Sequence, residues 1–361
     1  MGLSTEQATA AVWDGPQRGF RIASIGLPEP GPGEAVVRTG AATVCGSDLH
    51  TVRGDRPTPV PTVLGHEAVG TVLAAGPGTT THDGRPLAPG TRVTWTIGTS
   101  CGDCPRCLRG IPQKCARLRK YGHEAISDRW ALNGGYASHC HLVAGTGIVP
   151  VPEYLPDAVL APANCATATV VNALRGTGVR SARVVVVQGC GMLGLTAIAY
   201  LRHLGVPAVI AGETDPARRA LAARFGATAA VAPDGAAEAV SEASGGEGAD
   251  IVVELSGSNA AVTASLGLLG IGGTLVLAGS VFPVDPVPVR PDDLVRRLIT
   301  VTSTHNYTVR DLVDAVAFLS ALDDLEPFAA LVGASFPLER IDDAVKHALD
   351  ERPPRTALIP G

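Results

Sequence analysis

No stretch of eighteen apolar residues occurs anywhere in this chain of 361, so no membrane-spanning helix is expected. Nor does Met1 to Ala11 carry a basic segment leading into an apolar one, the pattern of a secretory leader. Positive charge is not in excess. Lys and Arg number 29 against 34 Asp and Glu, a formal net charge of −5, which gives no electrostatic reason to expect nucleic acid or an anionic membrane as partner. Internal repeats and low-complexity segments are absent too. What remains is the balance of a soluble globular protein, 45% apolar and 17% charged, long enough for two domains with separate cores. Cys45, Cys140, Cys165 and Cys190 lie far apart, which without a leader suits reduced thiols in the cytoplasm better than a disulfide framework.

The other four cysteines are the most informative residues present. Cys101, Cys104, Cys107 and Cys115 form a C-x2-C-x2-C-x7-C run among Gly102, Pro105 and Gly110. Four thiolates saturate a tetrahedral zinc ion and leave no open position, so such a site staples a lobe and catalyses nothing. Scattered core cysteines would not keep this spacing. Arg106, Arg109, Lys114, Arg117, Arg119 and Lys120 make the lobe basic, as a solvated face often is.

The segments fall into two textures. Short strands with Gly and Pro turns fill the first third: residues 10–40 are broken at Gly15-Pro16 and Pro28 to Gly33, and Val36-Val37, Val69 to Val72 and Val93 to Ile97 continue the pattern. This reads as a small β-barrel with an inserted lobe. Beyond Pro150-Val151-Pro152, helices and strands alternate as in a doubly wound parallel sheet, giving an α/β class overall. A helix is expected over Ala161 to Arg175, strands at Val184 to Val187, Val209 to Ala211, Ala229 to Val231, Ile251 to Glu254 and Thr274 to Leu277, and a helix at Met192 to Leu204. The expected domains are 1–160 with the lobe at about 98–120, then 161–304, then a tail, 305–361, that returns to the first domain with helices at Leu312 to Leu322 and Ile341 to Leu349.

Gly189, Gly191 and Gly194 spell G-x-G-x-x-G directly after the strand Arg183 to Val187 and at the start of a helix, the context that lets such a loop bring backbone and a helix N-terminus to a pyrophosphate. Met192 and Leu193 complete the loop. The acid expected on the adenosine ribose is Glu213, 19 residues beyond Gly194, and a carboxylate there repels a 2′-phosphate, favouring NAD over NADP. Arg218 and Arg219 lie close by; Arg218 is kept as a cofactor candidate, although both suit the solvent side of the next helix.

A second set of metal donors lies upstream. Cys45 in Val44-Cys45-Gly46-Ser47-Asp48-Leu49-His50 and His66 in Gly65-His66-Glu67 are about twenty residues apart on a β scaffold, and Cys165 adds a second thiolate just before the nucleotide strand. Two thiolates, one imidazole and an open fourth position make a catalytic zinc site. Singly, each residue has a plain alternative, a small core cysteine or a buried hydrogen-bonded histidine.

Taken together, these strings resemble the zinc-dependent medium-chain alcohol dehydrogenases over essentially the whole chain. The resemblance implies a GroES-like β-barrel catalytic domain plus a Rossmann domain, with the active site in the cleft between them. It implies that Cys45, His66 and Cys165 hold a catalytic zinc and Cys101, Cys104, Cys107 and Cys115 a structural one. Glu67 would be the acid behind the metal that can approach it, Ser47 and His50 a proton relay, and Glu213 the ribose carboxylate. Gly46 stands where some relatives place a basic residue on the pyrophosphate. The implied reaction is hydride transfer between NAD and an alcohol, aldehyde or ketone, in a homodimer or homotetramer joined at a Rossmann-sheet edge near Thr274 to Ser280.

Pro112 to Cys115, Lys120 to Glu124 and Pro162 to Thr169 further resemble a subgroup associated with phosphonate metabolism. A phosphonate-bearing alcohol would require cationic donors, for which Arg53, Arg56, Arg119, Lys120, His123 and His305 are candidates. A neutral secondary alcohol or polyol is the alternative substrate. A zinc-free reductase of the same fold, or a non-catalytic nucleotide-binding or redox-sensing protein, would predict a damaged donor set, and the set here is intact.

Overall fold

The computed structural model describes residues 6–361; Met1 to Thr5, part of the stretch read for a leader, lie outside the described residues. The chain forms two compact units. One takes the chain up to Cys165 and again from Thr308 to Gly361, and the other is Ala166–Tyr307. Cys165 therefore stands in the same unit as Cys45 and His66. No helix among the described residues is long and apolar enough to cross a membrane.

Short strands punctuated by turns build the first unit: β1 (Gln7–Trp13), β2 (Phe20–Gly26), β3 (Ala35–Thr43), β4 (Thr62–Val63), β5 (Glu67–Ala75), β6 (Arg92–Thr99), β7 (His139–Leu142) and β8 (Thr146–Pro150). The second unit supplies β9 (Val184–Gln188), β10 (Ala208–Gly212), β11 (Ala229–Val231), β12 (Ala249–Glu254), β13 (Leu269–Leu277) and β14 (Thr300–Ser303), and the returning tail adds β15 (Val332–Pro337) and β16 (Arg355–Ile359). A three-stranded sheet β2-β1-β4 accompanies a larger one in the order β15-β16-β3-β5-β6-β8, with β7 also on β3. Their apolar faces close over Trp95, Tyr121 and Tyr136, all fully buried.

Register in the larger sheet sets up chemistry. β3 pairs with β5 so that Thr43 faces Glu67, and β16 pairs with β3 so that Ala357 faces Thr43. Arg355, two residues before Ala357, is thereby delivered to Glu67. The C-terminal tail thus completes the first unit, and its helix Ile341–Asp350 contributes Ile341, Ala344, Val345 and Ala348 to that core.

The second unit is a six-stranded sheet in the order β11-β10-β9-β12-β13-β14, parallel throughout. The run Val184 to Val187 is buried because a central strand of such a sheet is covered on both faces. Strand order reverses between β9 and β12, the switch point beside which doubly wound sheets bind nucleotides.

Two expectations need correction. The helix expected over Ala161 to Arg175 is interrupted: a helix at Asp157–Leu160 gives way to a π turn at Ala163–Thr167 and then a helix at Ala168–Leu174. Pro162 explains it, having no N–H to donate and a ring that crowds the carbonyl one turn back. The sheet edge is not at Thr274 to Ser280, since β13 is paired on both sides; β14 is the edge, with all four residues exposed.

Candidate functional site

Cys45 caps the helix Gly46–Arg53 with extended backbone, and Asp48 Oδ2 accepts its N–H at 3.0 Å. The same oxygen accepts the Tyr136 hydroxyl at 2.9 Å, and Asp48 Oδ1 stands 3.4 Å from His66 Nδ1. Asp48 thus holds the Cys45 backbone and sets its charge beside the His66 ring, although Oδ1 and Nδ1 do not form a hydrogen bond at this separation. It leaves His66 Nε2 on the other side, where Ser47 Oγ is 3.5 Å away. Carboxylates behind metal-ligating imidazoles commonly set ring orientation in this way.

Cys165 arrives from the π turn, a local widening often found at functional positions. Its neighbour Asn164 pins that turn to the sheet, donating from Nδ2 to Trp95 O at 2.9 Å and accepting at Oδ1 from Ala68 N–H at 3.3 Å. The ligand atoms of Cys45, His66, Glu67 and Cys165 all lie within 4.8 Å of one another. Glu67 is fully buried, accepts the Thr43 hydroxyl, and receives a two-pronged bond from Arg355, whose Nη2 also reaches 3.6 Å from Cys45 Sγ.

Electrostatics favour a cation among these donors. The hydrogen bond from Cys165 holds the Cys45 thiol well below its usual range against the pull of burial, with Arg355 and His66 adding to the effect. That same bond and burial push Cys165 up. Burial works against a proton on His66, but Asp48 and the Cys45 thiolate outweigh it and hold the pKa at about 10. Burial raises Glu67 to about 7 against the pull of Arg355, and the pair's geometry is that of carboxylate with guanidinium. A thiolate, a second thiol and an imidazole packed this closely compete for protons, and a zinc ion satisfies all three at once.

The cysteine lobe gives a sharper fit. Sγ separations are 3.3 Å for Cys101–Cys115, 3.5 Å for Cys104–Cys107, and 3.9 Å for both Cys101–Cys107 and Cys104–Cys115. A tetrahedron with Zn–S bonds of about 2.3 Å has edges of about 3.8 Å, so the four sulfurs are spaced for that ion. Backbone amides point at them: Cys101 N–H and Arg117 N–H donate to Cys115, and Ala116 N–H to Cys104. The Ala116 amide leads the causes that bring Cys104 down to about 6, while burial and the Cys104 contact push Cys107 up to about 12.

In the second unit, β9 runs into the glycine loop and the helix Met192–His203 opens behind it, capped by Gly191. Gly189 has φ +91°, and a Cβ on Gly194 would stand 1.9 Å from Gly189 O, so neither position admits a side chain. Glu213 ends its strand against this loop. Its Oε2 accepts Cys190 N–H at 2.8 Å, and Oε1 accepts Asp215 N–H and the Thr214 hydroxyl, both at 3.0 Å. Burial pushes the Glu213 carboxyl upward, but those donors win and hold it lowered. Arg219 folds back onto the carbonyls of Glu213 and Thr214 at 2.8 Å. Arg218 is half-buried and has no ion-pair partner among the described residues.

The structure therefore gathers Cys45, Ser47, His66, Glu67 and Cys165 in one place, and Gly189, Gly191, Met192, Leu193, Gly194 and Glu213 in another. His50 lies further along the helix, its Nδ1 3.2 Å from Asp55 Oδ2. His123, from the second Gly-His-Glu string, lies against His66 with ring centroids 5.4 Å apart. Asp48, Asn164 and Arg355 are functional neighbours to which the sequence reading gave no role. Asp48 and Asn164 sat inside strings already quoted and were open to discovery; Arg355 carried no local signal.

Comparison with known proteins agrees with this layout. The model of the alcohol dehydrogenase GroES-like domain matches residues 31–153, and that of the zinc-binding dehydrogenases matches 193–321. An alcohol dehydrogenase of Geobacillus stearothermophilus is 31% identical over 346 residues, covering 94% of this chain and 96% of its own. The solved structure of an alcohol dehydrogenase from Thermotoga maritima is similar with a TM-score of 0.93 at 28% identity, covering 99% of this chain and all of the other. A zinc-binding dehydrogenase from Sinorhizobium meliloti 1021, solved bound to NADP, gives a TM-score of 0.85 at 27% identity over 99% and 100% of the two chains. A GroES-like unit carrying sulfur and nitrogen metal donors, a parallel sheet carrying the dinucleotide loop, and near full-length similarity to these enzymes leave one assignment: the chain belongs to the zinc-dependent medium-chain alcohol dehydrogenases.

Proposed function

We propose that this zinc-dependent alcohol dehydrogenase moves hydride between an alcohol and NAD, using a catalytic zinc held by Cys45, His66 and Cys165 and a structural zinc in the lobe. The observation that carries this reading is the convergence of those donors, with Glu67 behind them, inside 4.8 Å. A zinc ion there supplies Lewis-acid polarisation of the substrate oxygen. The chain's own residues do the rest. Asp48 sets its charge behind the His66 ring, Arg355 opposes protonation of the buried Glu67, and Ser47, beside His66 Nε2, is placed to take the proton that an alcohol gives up. His50, on the same helix, passes it to solvent. The nicotinamide brings the hydride chemistry, while the Gly189 loop and the helix N-terminus behind it supply its position.

NAD is favoured because Glu213 keeps a charged carboxylate beside the glycine loop, and an acid following this strand accepts ribose hydroxyls and repels a 2′-phosphate. A specific observation supports NADP as the second reading: the Arg218 guanidinium has no ion-pair partner among the described residues and is close enough to Cys190 to influence its thiol. We also infer a homodimer or homotetramer through β14. That edge is uncharged, and Ile271, Val295, Leu298 and Val301 leave apolar surface exposed around it, which a second copy would cover. Eight free thiols fit a reducing cytoplasm.

The test is metal and cofactor accounting on the purified protein. Two zinc per chain, with NAD-dependent oxidation of simple alcohols abolished by Cys45→Ser or His66→Ala, supports the reading. Near-normal turnover in either variant sinks it. A monomer by sedimentation would dismiss the β14 interface.

A further inference from the structure

Two cations whose charges act on the Cys45 and Cys165 donors form no ion pair among the described residues. Arg56 follows the helix that Cys45 caps, its N–H bonded to His50 O at 3.3 Å, and its charge acts on Asp48 and Cys45. Lys120 belongs to the turn that ends in His123: His123 N–H bonds Lys120 O at 3.2 Å. Gly122 clamps that turn onto the metal loop, since a Cβ there would meet Gly65 O at 2.7 Å, and this is why the His123 ring lies 5.4 Å from that of His66. Lys120 in turn acts on Arg56 and on Cys165.

Neither side chain has a hydrogen bond or ion pair among the described residues. Glu124, which acts on Lys120, spends its Oε1 on the Lys120 backbone N–H at 3.0 Å, and Asp48 faces His66, Tyr136 and Cys45. Burial acts on both: burial first and repulsion from Arg56 second bring Lys120 down to about 8, and burial lowers Arg56 against the attraction of Asp48 and Cys45. His123 Nδ1 is buried with no partner. Of the six cations weighed from sequence, the others do not join this cluster. Arg53 is exposed, Arg119 lies over the Trp130 ring at 5.1 Å, and His305 belongs to the other unit.

Two half-buried cations with neighbouring charges but no ion-pair partner of their own leave an anion's place open. We propose that Arg56 and Lys120 form a subsite for an anionic group on the alcohol substrate, a carboxylate or a phosphonate or phosphate, with the His123 ring beside it. The proposal rests on the reading of Cys45, His66 and Cys165 as the centre that acts on the alcohol oxygen. An arginine fork and a lysine point charge are the pair such a group calls for.

The experiment compares kcat/KM of the zinc-loaded enzyme for 3-hydroxybutyrate, 2-hydroxypropylphosphonate and the neutral 2-pentanol. At least one acid is expected to exceed 2-pentanol about ten-fold or more, and which acid wins separates carboxylate from phosphonate. Arg56→Met and Lys120→Met should each lower that ratio about ten-fold, with Lys120→Arg keeping most of it. In parallel, calorimetry with acetate and methylphosphonate on the NADH-loaded wild type should detect one of the two, and Lys120→Met should weaken it by a similar factor. A wild type that prefers 2-pentanol, a ratio unmoved in both methionine variants, or binding of neither probe would overturn the subsite. Continued turnover of 2-pentanol in that case leaves the dehydrogenase reading standing. Loss of turnover with all three alcohols counts instead against the metal centre beneath it.

Discussion

Arg355 grips Glu67 through two bonds of 2.6 Å, although 288 residues separate them in the chain. The antiparallel pairing of β16 on β3 makes this contact, so the last strand of the protein reaches the back of the Cys45, His66 and Cys165 cluster. Removing one partner of a buried ion pair leaves the other charged and unpaired, a loss of about 3–5 kcal/mol. Arg355→Met is therefore expected to unfold at clearly lower urea than wild type. The pH dependence has a definite sign. Glu67 is already raised to about 7 by burial, and loss of the guanidinium raises it further. The folded variant then holds a proton that the unfolded chain releases, so its stability keeps falling above pH 7 and the gap to wild type widens. Parallel urea curves at pH 6 and 8 that show a constant gap would contradict this.

Asp48→Asn tests the orientation of the ligand behind it. The amide keeps the shape but offers His66 Nδ1 either a neutral acceptor or a clashing donor, and it weakens the cap on Cys45 N–H. Loss of such a supporting carboxylate lowers metal affinity by about 10–100-fold. Competition with a chromophoric chelator measures it. Unchanged zinc retention would mean that the 3.4 Å approach of Asp48 to His66 does not orient the ring.

The two close clusters of cysteine, histidine and acid side chains were legible in the sequence for a physical reason: metal-type donors are restricted to few residue types, and a lobe or turn must bring them close within a short span. Cys101 to Cys115 and Gly189 to Gly194 carry that information locally. Arg355 does not, because its partner is fixed by sheet register 288 residues away. Asn164 bonds residues 96 and 69 positions distant and was equally silent as to role. Periodicity ran Ala161 to Arg175 together as one helix because the apolar pattern continues across Pro162, while the π turn that aims Cys165 has no period of its own. The true sheet edge was missed at β14, whose Thr-Val-Thr-Ser is short and mixed. Only the crossover through the helix Pro291–Arg297 settles that it lies outside β13.

Cys104→Ser separates the two metal clusters. The serine hydroxyl is a poor replacement for a thiolate brought down to about 6 by the Ala116 amide, so the lobe should release its ion while Cys45, His66 and Cys165 keep theirs. One zinc per chain instead of two is expected by emission spectroscopy, together with faster tryptic cutting at Arg106 and Arg109, both exposed in the lobe. Retention of both ions would show that three cysteines suffice.

Glu213→Ala bears on the cofactor. The carboxylate is charged and lies against the Gly189 loop through Cys190 N–H, so it both favours ribose hydroxyls and disfavours a 2′-phosphate. KM for NAD should rise about ten-fold or more, the worth of a charged hydrogen bond, while KM for NADP should rise less or fall as Arg218 meets the phosphate unopposed. Parallel changes in both constants would mean that Glu213 only shapes the loop.

Zinc uptake at the Cys45 centre should depend steeply on pH, because two of its three donors hold protons near neutrality. Asp48 and the Cys45 thiolate keep His66 protonated up to about 10, and the bond to Cys45 with burial pushes the Cys165 thiol up, whereas the bond from Cys165 holds Cys45 well below its usual range. Zinc requires a neutral imidazole and thiolates, so binding expels about two protons and affinity rises by about two decades per pH unit. The sign is fixed: raising the pH toward 10 removes the competing proton from His66 and strengthens binding, and lowering it weakens binding. Calorimetric titration of the apoprotein in two buffers of different ionisation enthalpy counts the protons, with Cys45→Ser subtracting the uptake by the lobe. A slope near zero between pH 6 and 8 would mean that His66 and Cys165 reach the ion already deprotonated, and that Asp48 does not hold a proton on the ring.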